Sequence, residues 1–230
     1  MVISNCDLLA PQFHTQRVAV TLADDCPAMR EGLARLMSDE CSLTVAGSAA
    51  APAELRELVL RQLPQVLVMD LFLHEGDGLA LIRDLLELAP GLKIIVFTHQ
   101  AEEVYATRCL QAGVRAFVSK REQVMTLFRA IHQVAAGGVV VPSSITSALF
   151  APAQSKDTPA GLAAQLTDRE LQVFRLVGLA QPTREVAKRL GVSVKTVESH
   201  RENIKNKLDL GSHAELVARA AQWLRESEGA

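Results

Sequence analysis

The run VLVMDLFLHEGDGL, residues 66–79, decides the fold. Val66-Leu67-Val68-Met69 is short and apolar on both faces, as a strand buried in a parallel sheet is. It runs into Asp70, and eight residues later Gly78 opens a stretch of helical length that reaches Leu88. Asp77, just before that glycine, suits a helix cap. A strand, a carboxylate at its carboxyl end and a helix form one βα unit of an open α/β sheet.

The same unit recurs on either side. Val18–Leu22, Leu43–Ala46, Lys93–Phe97 and Ala116–Ser119 are further strand candidates, and Pro27–Met37, Ala53–Gln62, Ala101–Ala112 and Gln123–Ala135 are of helical length. Five βα repeats over residues 17–136 predict a flavodoxin-like α/β domain, a five-stranded parallel sheet doubly wound with helices. Residues 151–163, APAQSKDTPAGLA, break the rhythm with proline, glycine and small polar residues and read as a linker. The connecting region is taken as 137–163, with a short helix expected over 143–150. From Leu166 onward everything reads helical, so 164–230 forms a small all-α domain. Residues 1–16 read as a flexible tail.

Composition excludes several classes. The 230 residues carry 24 Lys and Arg against 26 Asp and Glu, a formal net charge of −2, so the chain is neither a polybasic nor a polyacidic binder. With 49% hydrophobic residues it is globular, and with 4% aromatics it has few platforms for stacking single-stranded bases. No apolar run approaches the ~18 residues of a membrane span. No lysine or arginine precedes Arg17, which argues against a secretory signal. The expectation is a cytoplasmic protein without membrane partners. Cys6, Cys26, Cys41 and Cys109 form no CxxC, so free thiols are expected rather than a zinc site or disulfide framework.

In open α/β sheets, ligands gather at the carboxyl ends of the strands. There the first strand offers Asp24 and Asp25, the third Asp70, the fourth Thr98 and the fifth Lys120. Three carboxylates brought together repel unless a cation joins them, and hard oxygen ligands suit Mg²⁺. A carboxylate can attack phosphorus to give an aspartyl phosphate. A cation and a lysine would then neutralise the phosphoryl oxygens, and a threonine hydroxyl would bond one of them.

The stretches LADDCPAMREGL (22–33), VLVMDLFLHEGDGL (66–79), IIVFTHQ (94–100) and AFVSKRE (116–122) resemble the receiver domain of bacterial response regulators. The resemblance covers residues 17–136. It implies that Asp70 is the phosphoacceptor, and that Asp24, Asp25, Asp70 and the backbone carbonyl of Phe72 hold Mg²⁺. Thr98 and Lys120 engage the phosphoryl group, and Phe117, three residues before that lysine, takes the family's aromatic switch position, though a buried strand aromatic fits the same residue. One departure stands out: His74 replaces the proline usual four residues after the acceptor.

In the helical part, Thr167 and Glu170 have capping-box spacing, and Leu171, Phe174 and Val177 mark a core face. Pro182 suits the first position of a helix over Thr183–Leu190. Gly191-Val192-Ser193 forms a turn, with Ser193 capping a helix over Val194–Leu208. Two helices joined by such a turn make a helix-turn-helix, whose second member enters the major groove. Val197, Ile204 and Leu208 face inward. The charge balance is only mildly favourable, 11 basic against 9 acidic residues over 164–230.

LTDRELQVFRLV (166–177) and REVAKRLGVSVKTVESHRENIKNKL (184–208) resemble the LuxR/NarL-type DNA-binding domain. On that basis Glu198, Ser199 and Glu202 face bases. Lys195, Thr196, His200, Arg201, Lys205 and Lys207 serve as backbone contacts or supports. Ala180 replaces a frequent glycine, and Pro182 a frequent capping serine. The last helix, Ala214–Leu224 with Trp223, either pairs two copies on DNA or packs in the core.

Together the resemblances imply a NarL/FixJ-type response regulator, not a general enzyme. A cognate sensor histidine kinase or small phosphodonor loads Asp70. The active homodimer binds a double-stranded operator, and RNA polymerase is a further partner to consider. Three rivals are weighed. A haloacid-dehalogenase-like phosphatase wants Asp-x-Asp after its first strand, where this chain has Asp24-Asp25-Cys26. A flavodoxin-like cofactor module wants a phosphate loop there, which two aspartates would repel. A regulator of the same architecture that ignores phosphorylation stays open.

Overall fold

The computed structural model describes residues 17–73, 77–142, 145 and 158–228. The tail 1–16, His74 and most of the expected 143–150 helix lie outside the described residues. Five βα units come first: β1 (Val18–Ala23), α1 (Pro27–Ser38), β2 (Leu43–Ala49), α2 (Pro52–Gln62), β3 (Val66–Met69), α3 (Gly78–Leu88), β4 (Lys93–Thr98), α4 (Glu102–Gln111), β5 (Ala116–Ser119) and α5 (Val124–Ala135). Helices α6 (Pro159–Ala164), α7 (Asp168–Gly178), α8 (Thr183–Arg189), α9 (Val194–Leu208) and α10 (His213–Glu228) follow.

The sheet is parallel, in the order β2-β1-β3-β4-β5. Alternation along β3 explains its unbroken apolar run. Val66 and Val68 pack with Leu33, Met37, Leu127 and Ile131 of α1 and α5, while Leu67 and Met69 pack with Leu55, Leu85 and Cys109 of α2, α3 and α4. Strand order reverses at β1, so its end and that of β3 flank the crevice where such sheets bind ligands. The Asp70 amide donates to the Ala23 carbonyl at 2.8 Å, which fixes the two carboxylate-bearing ends side by side.

Helix α3 starts as the sequence predicts, with the Asp77 carboxylate accepting from the Ala80 amide at 3.0 Å. Its first residue must be glycine, because a Cβ on Gly78 would lie 1.8 Å from the Leu71 carbonyl oxygen. The helix is thereby pressed against the backbone that leaves β3.

In the helical domain Thr167 and Glu170 form the expected capping box. Helix α7 ends in a Schellman motif, with Gln181 donating to the Leu176 carbonyl at 3.0 Å and Ala180 to that of Val177 at 2.9 Å. That motif places Ala180 at φ 55°, a left-handed conformation, which gives a physical reason why glycine would suit the position. Ser193 caps α9, accepting from the Thr196 amide at 3.0 Å. Pro182 sits one residue earlier than expected, as the N-cap of α8 rather than within it.

Two expectations are corrected, and one open alternative is decided. Residues 159–163 are not linker, because Pro159 stands at the first position of α6 and Thr158 caps it by accepting from Gly161. A proline suits both a linker and a helix start, and the deciding contact is remote: Trp223 Nε1 donates to the Pro159 carbonyl at 3.0 Å. Trp223 is fully buried, its ring 5.6 Å from that of Phe174, so it belongs to the core. Cys41 is disulfide-bonded, whereas Cys26 and Cys109 are free.

Candidate functional site

The strand ends bring the carboxylates together. Asp24, Asp25 and Asp70 each offer an oxygen lying within 4.8 Å of the others. Asp24 is 4% exposed, its Oδ1 accepting from the Cys26 amide at 2.9 Å. Lys120, at the end of β5, reaches across with Nζ 2.6 Å from Asp24 Oδ2 and 2.6 Å from Asp70 Oδ2. Burial opposes its charge, but Asp70 and Asp24 outweigh that and hold its ammonium above the usual lysine value. It therefore stays charged at neutral pH. Three carboxylates and one ammonium still leave an excess of hard, negative oxygen, a donor set that fits Mg²⁺.

Thr98 is fully buried and its hydroxyl already donates to Asp70 Oδ1 at 2.7 Å. Phe117 is also buried, in the core layer that includes Tyr105 and Val104. Phe72 touches the acceptor through its backbone, its amide donating to Asp70 Oδ1 at 3.3 Å.

Sequence reasoning missed what lies between this centre and the helical domain. Asp168, first residue of α7, accepts from Arg83 of α3 at 2.6 Å and also from Arg108 of α4. Arg108 donates as well to the carbonyls of Ala163 at 2.6 Å and Leu166 at 2.8 Å. Burial raises the Asp168 carboxyl, yet the two guanidiniums more than compensate and hold it below its usual value. Arg175 of α7 lies 4.4 Å over the ring of Phe72, which meets Tyr105 edge-on at 5.5 Å. Leu162, Leu166, Leu171 and Leu176 share a buried cluster with Tyr105 and Leu79. A charged residue on an amphipathic helix reads as solvated, and nothing in the local pattern marks a partner 60 or 85 residues away.

On α9, Lys195, Glu198, Ser199 and Glu202 are exposed, Thr196 and His200 are half-buried, and Val197 and Ile204 are buried. Lys205 is within 2.9 Å of Glu202. Arg201 turns inward, donating to Thr183 Oγ1 of α8 with its other terminal nitrogen 2.9 Å from His213 Nε2. Lys207 donates to the buried Glu170 at 2.6 Å. These two side chains tie the helices together.

Residues 20–132 match the response regulator receiver domain, and residues 164–220 match the LuxR family of bacterial regulatory proteins. The chain belongs to the two-component response regulators that carry a LuxR-type helix-turn-helix, a family of transcription factors. It is 30% identical to the oxygen regulatory protein NreC of Staphylococcus carnosus, covering 86% of this chain and 94% of that protein. It is 30% identical to the transcriptional activator protein ExaE of Pseudomonas putida, over 87% and 94%. RcsB from Salmonella enterica serovar Typhimurium, bound to promoter rprA with the phosphomimetic BeF₃⁻, shares the fold at TM-score 0.67 and 24% identity over 90% of this chain and 99% of that one. Among the described residues, no helix is long and apolar enough to cross a membrane.

Proposed function

We propose that Asp70 is the phosphoacceptor and that its phosphorylation governs DNA binding by α9. The observation that carries this is the convergence of Thr98, Lys120 and the Phe72 amide on the two Asp70 oxygens, beside Asp24 and Asp25. We assign Mg²⁺ to Asp24, Asp25, Asp70 and the Phe72 carbonyl, where it supplies positive charge against the carboxylates and incoming phosphoryl oxygens.

One Asp70 oxygen forms the new O–P bond as the donor's P–N or P–O bond breaks, and that electron pair leaves with the donor. Lys120 moves its ammonium from carboxylate to phosphoryl oxygen, and the Thr98 hydroxyl follows. The donor is a sensor histidine kinase or a small acyl phosphate. The chain speeds its own phosphorylation and hydrolysis without acting on other substrates. The receiver comprises residues 17–136, and the DNA-binding part is best begun at Thr158, where α6 starts.

For DNA, Glu198, Ser199 and Glu202 face bases, with Lys195, Thr196, His200 and Lys205 toward the backbone. Arg201 and Lys207 take the supporting role. Since Trp223 is core, we assign homodimer contact to the outer face of α10, where Ala214, Ala218 and Gln222 are exposed. Half-sites would then lie about one helical turn, ~10 bp, apart. RcsB, whose structure holds promoter DNA and BeF₃⁻, supports this reading by shared fold. We assign this chain's work to the cytoplasm, where a DNA-binding regulator meets its operator.

The test is incubation with an acyl phosphate and Mg²⁺, read by intact mass. The wild type gains one phosphoryl group and Asp70→Asn gains none. Undiminished labelling of Asp70→Asn overturns the assignment.

A further inference from the structure

We propose that Phe72 ties the acceptor pocket to the DNA-binding domain, with Arg175 acting through it as a positioning residue that sets the pocket's affinity for its phosphoryl group. This rests on Asp70 being the acceptor, and it assigns the regulation of that site.

Phe72 has two attachments. Its amide donates to Asp70 Oδ1 at 3.3 Å. Its ring is held on two sides by other elements. Tyr105 of α4, 2% exposed, meets it at 85°, and the Arg175 guanidinium of α7 covers its face at 4.4 Å. A cation over an aromatic face is attracted by the ring quadrupole, the more so when both are withdrawn from water. The ring therefore stays where it is while α7 stays docked.

Helix α7 is itself anchored. Arg175 lies seven residues from Asp168, two helical turns along the same side, and Asp168 is fixed to Arg83 and Arg108. From the Asp70 carboxylate to α7 there are thus only the Phe72 amide, the Phe72 ring and the Arg175 guanidinium.

Phosphorylation disturbs the first of these. Esterifying one Asp70 oxygen removes the carboxylate's delocalised charge and weakens it as an acceptor. In this proposal Oδ1 is the oxygen that forms the O–P bond, so Thr98 and the Phe72 amide, which both bond it, must turn to phosphoryl oxygens. The Phe72 peptide has to turn, and a ring clamped between Tyr105 and Arg175 resists that. Docking therefore opposes loading of Asp70. Linkage makes the effect reciprocal: a loaded pocket loosens the grip of Arg175 by the same factor.

The test uses the full-length chain, Mg²⁺ and beryllofluoride, with affinity read by calorimetry. Arg175→Ala should bind beryllofluoride about 2- to 30-fold more tightly than wild type, the range a cation–π contact spans. Arg175→Lys, which keeps a cation over the ring, should fall between the two. Phe72→Leu, on the other side of the contact, should also bind more tightly. Adding Arg175→Ala to it should then change nothing more, because the two act through one contact. Small-angle scattering of the wild type should show expansion on loading.

Unchanged affinity in both Arg175→Ala and Phe72→Leu, or full additivity of the two, overturns the coupling. Either result leaves the acceptor assignment standing if Asp70→Asn binds no beryllofluoride. Retained binding in Asp70→Asn, or none in wild type, overturns the acceptor assignment and the coupling with it.

Discussion

Asp168 and Arg83 meet at 2.6 Å across the boundary between the two domains, and Arg108 closes on the second oxygen of the same carboxylate. Asp168 is also the first residue of α7, where a negative charge complements the helix N-terminus. One carboxylate thus serves three positive partners, two from the receiver and one from its own helix. Its neighbours in the helix-turn-helix leave Lys195, Glu198 and Ser199 exposed, so docking grips α7 and not the exposed start of α9.

Asp168→Asn keeps the shape of the side chain and removes its charge. Charge-assisted hydrogen bonds are worth about 1.5–3 kcal/mol each, less where solvent screens them, as it does the half-exposed Arg83. The variant should therefore favour undocking by roughly 1–3 kcal/mol. Small-angle scattering should give a larger radius of gyration without any phosphodonor. An unchanged radius would show that the remaining contacts, among them those of Arg108 with the Ala163 and Leu166 carbonyls and the apolar cluster, suffice to hold the domains.

The same carboxylate sets a direction in pH. Its value is lower docked than free, so its contribution to docking is fully present above the free value of about 3.9. It is lost only as pH falls through the lower, docked value. Scattering should show the wild type closed from neutrality down to about pH 4, and Asp168→Asn should lack the opening step below that. Opening of the wild type well above that range would mean another group controls the contact.

Lys120→Ala leaves Asp24 and Asp70 facing each other without their shared ammonium, all three side chains being at most 14% exposed. Breaking a buried pair by removing one partner costs about 3–5 kcal/mol. Thermal unfolding should occur at lower temperature, and Mg²⁺ should restore more stability to the variant than it adds to the wild type. Equal stabilisation of both by Mg²⁺ would count against a shared cation site.

Ala180→Gly should stabilise the helical domain. A left-handed residue with a Cβ costs roughly 1–2 kcal/mol, of which glycine's extra freedom in the unfolded chain takes back part. A net gain of about 0.5–1 kcal/mol should appear as a higher denaturation midpoint at unchanged slope. A loss of stability would mean that the methyl group packs better than the strain costs.

Lys195→Ala and Arg201→Ala should part company on DNA. The first removes an exposed cation, so binding should weaken alike on unrelated sequences, with the salt slope shallower by about 0.9. The second removes a tie between α8, α9 and α10 and should lower stability while leaving that slope in place. A shallower slope for Arg201→Ala would return that side chain to the DNA surface.

The five strands were legible because β3 and its neighbours are apolar runs bounded by turns, and the strand ends carry chemistry that packing alone would not need. Thr167, Ser193 and Asp77 declared the helix starts because capping is a local requirement. What stayed hidden depends on distant partners. Pro159 reads as a linker until Trp223 is seen to donate to its carbonyl, and Cys41 reads as a free thiol for want of a nearby cysteine. Arg83, Arg108 and Arg175 look like solvated helix faces until α7 is laid against them. Phe72 showed a carbonyl for a metal by family resemblance, but its ring points to a different partner from its backbone.

The bond from Trp223 to Pro159 also determines where the helical domain begins. A helical domain prepared on its own should start no later than Thr158: beginning it at Leu166 would strip α6 away and leave the indole N–H of the fully buried Trp223 without its acceptor.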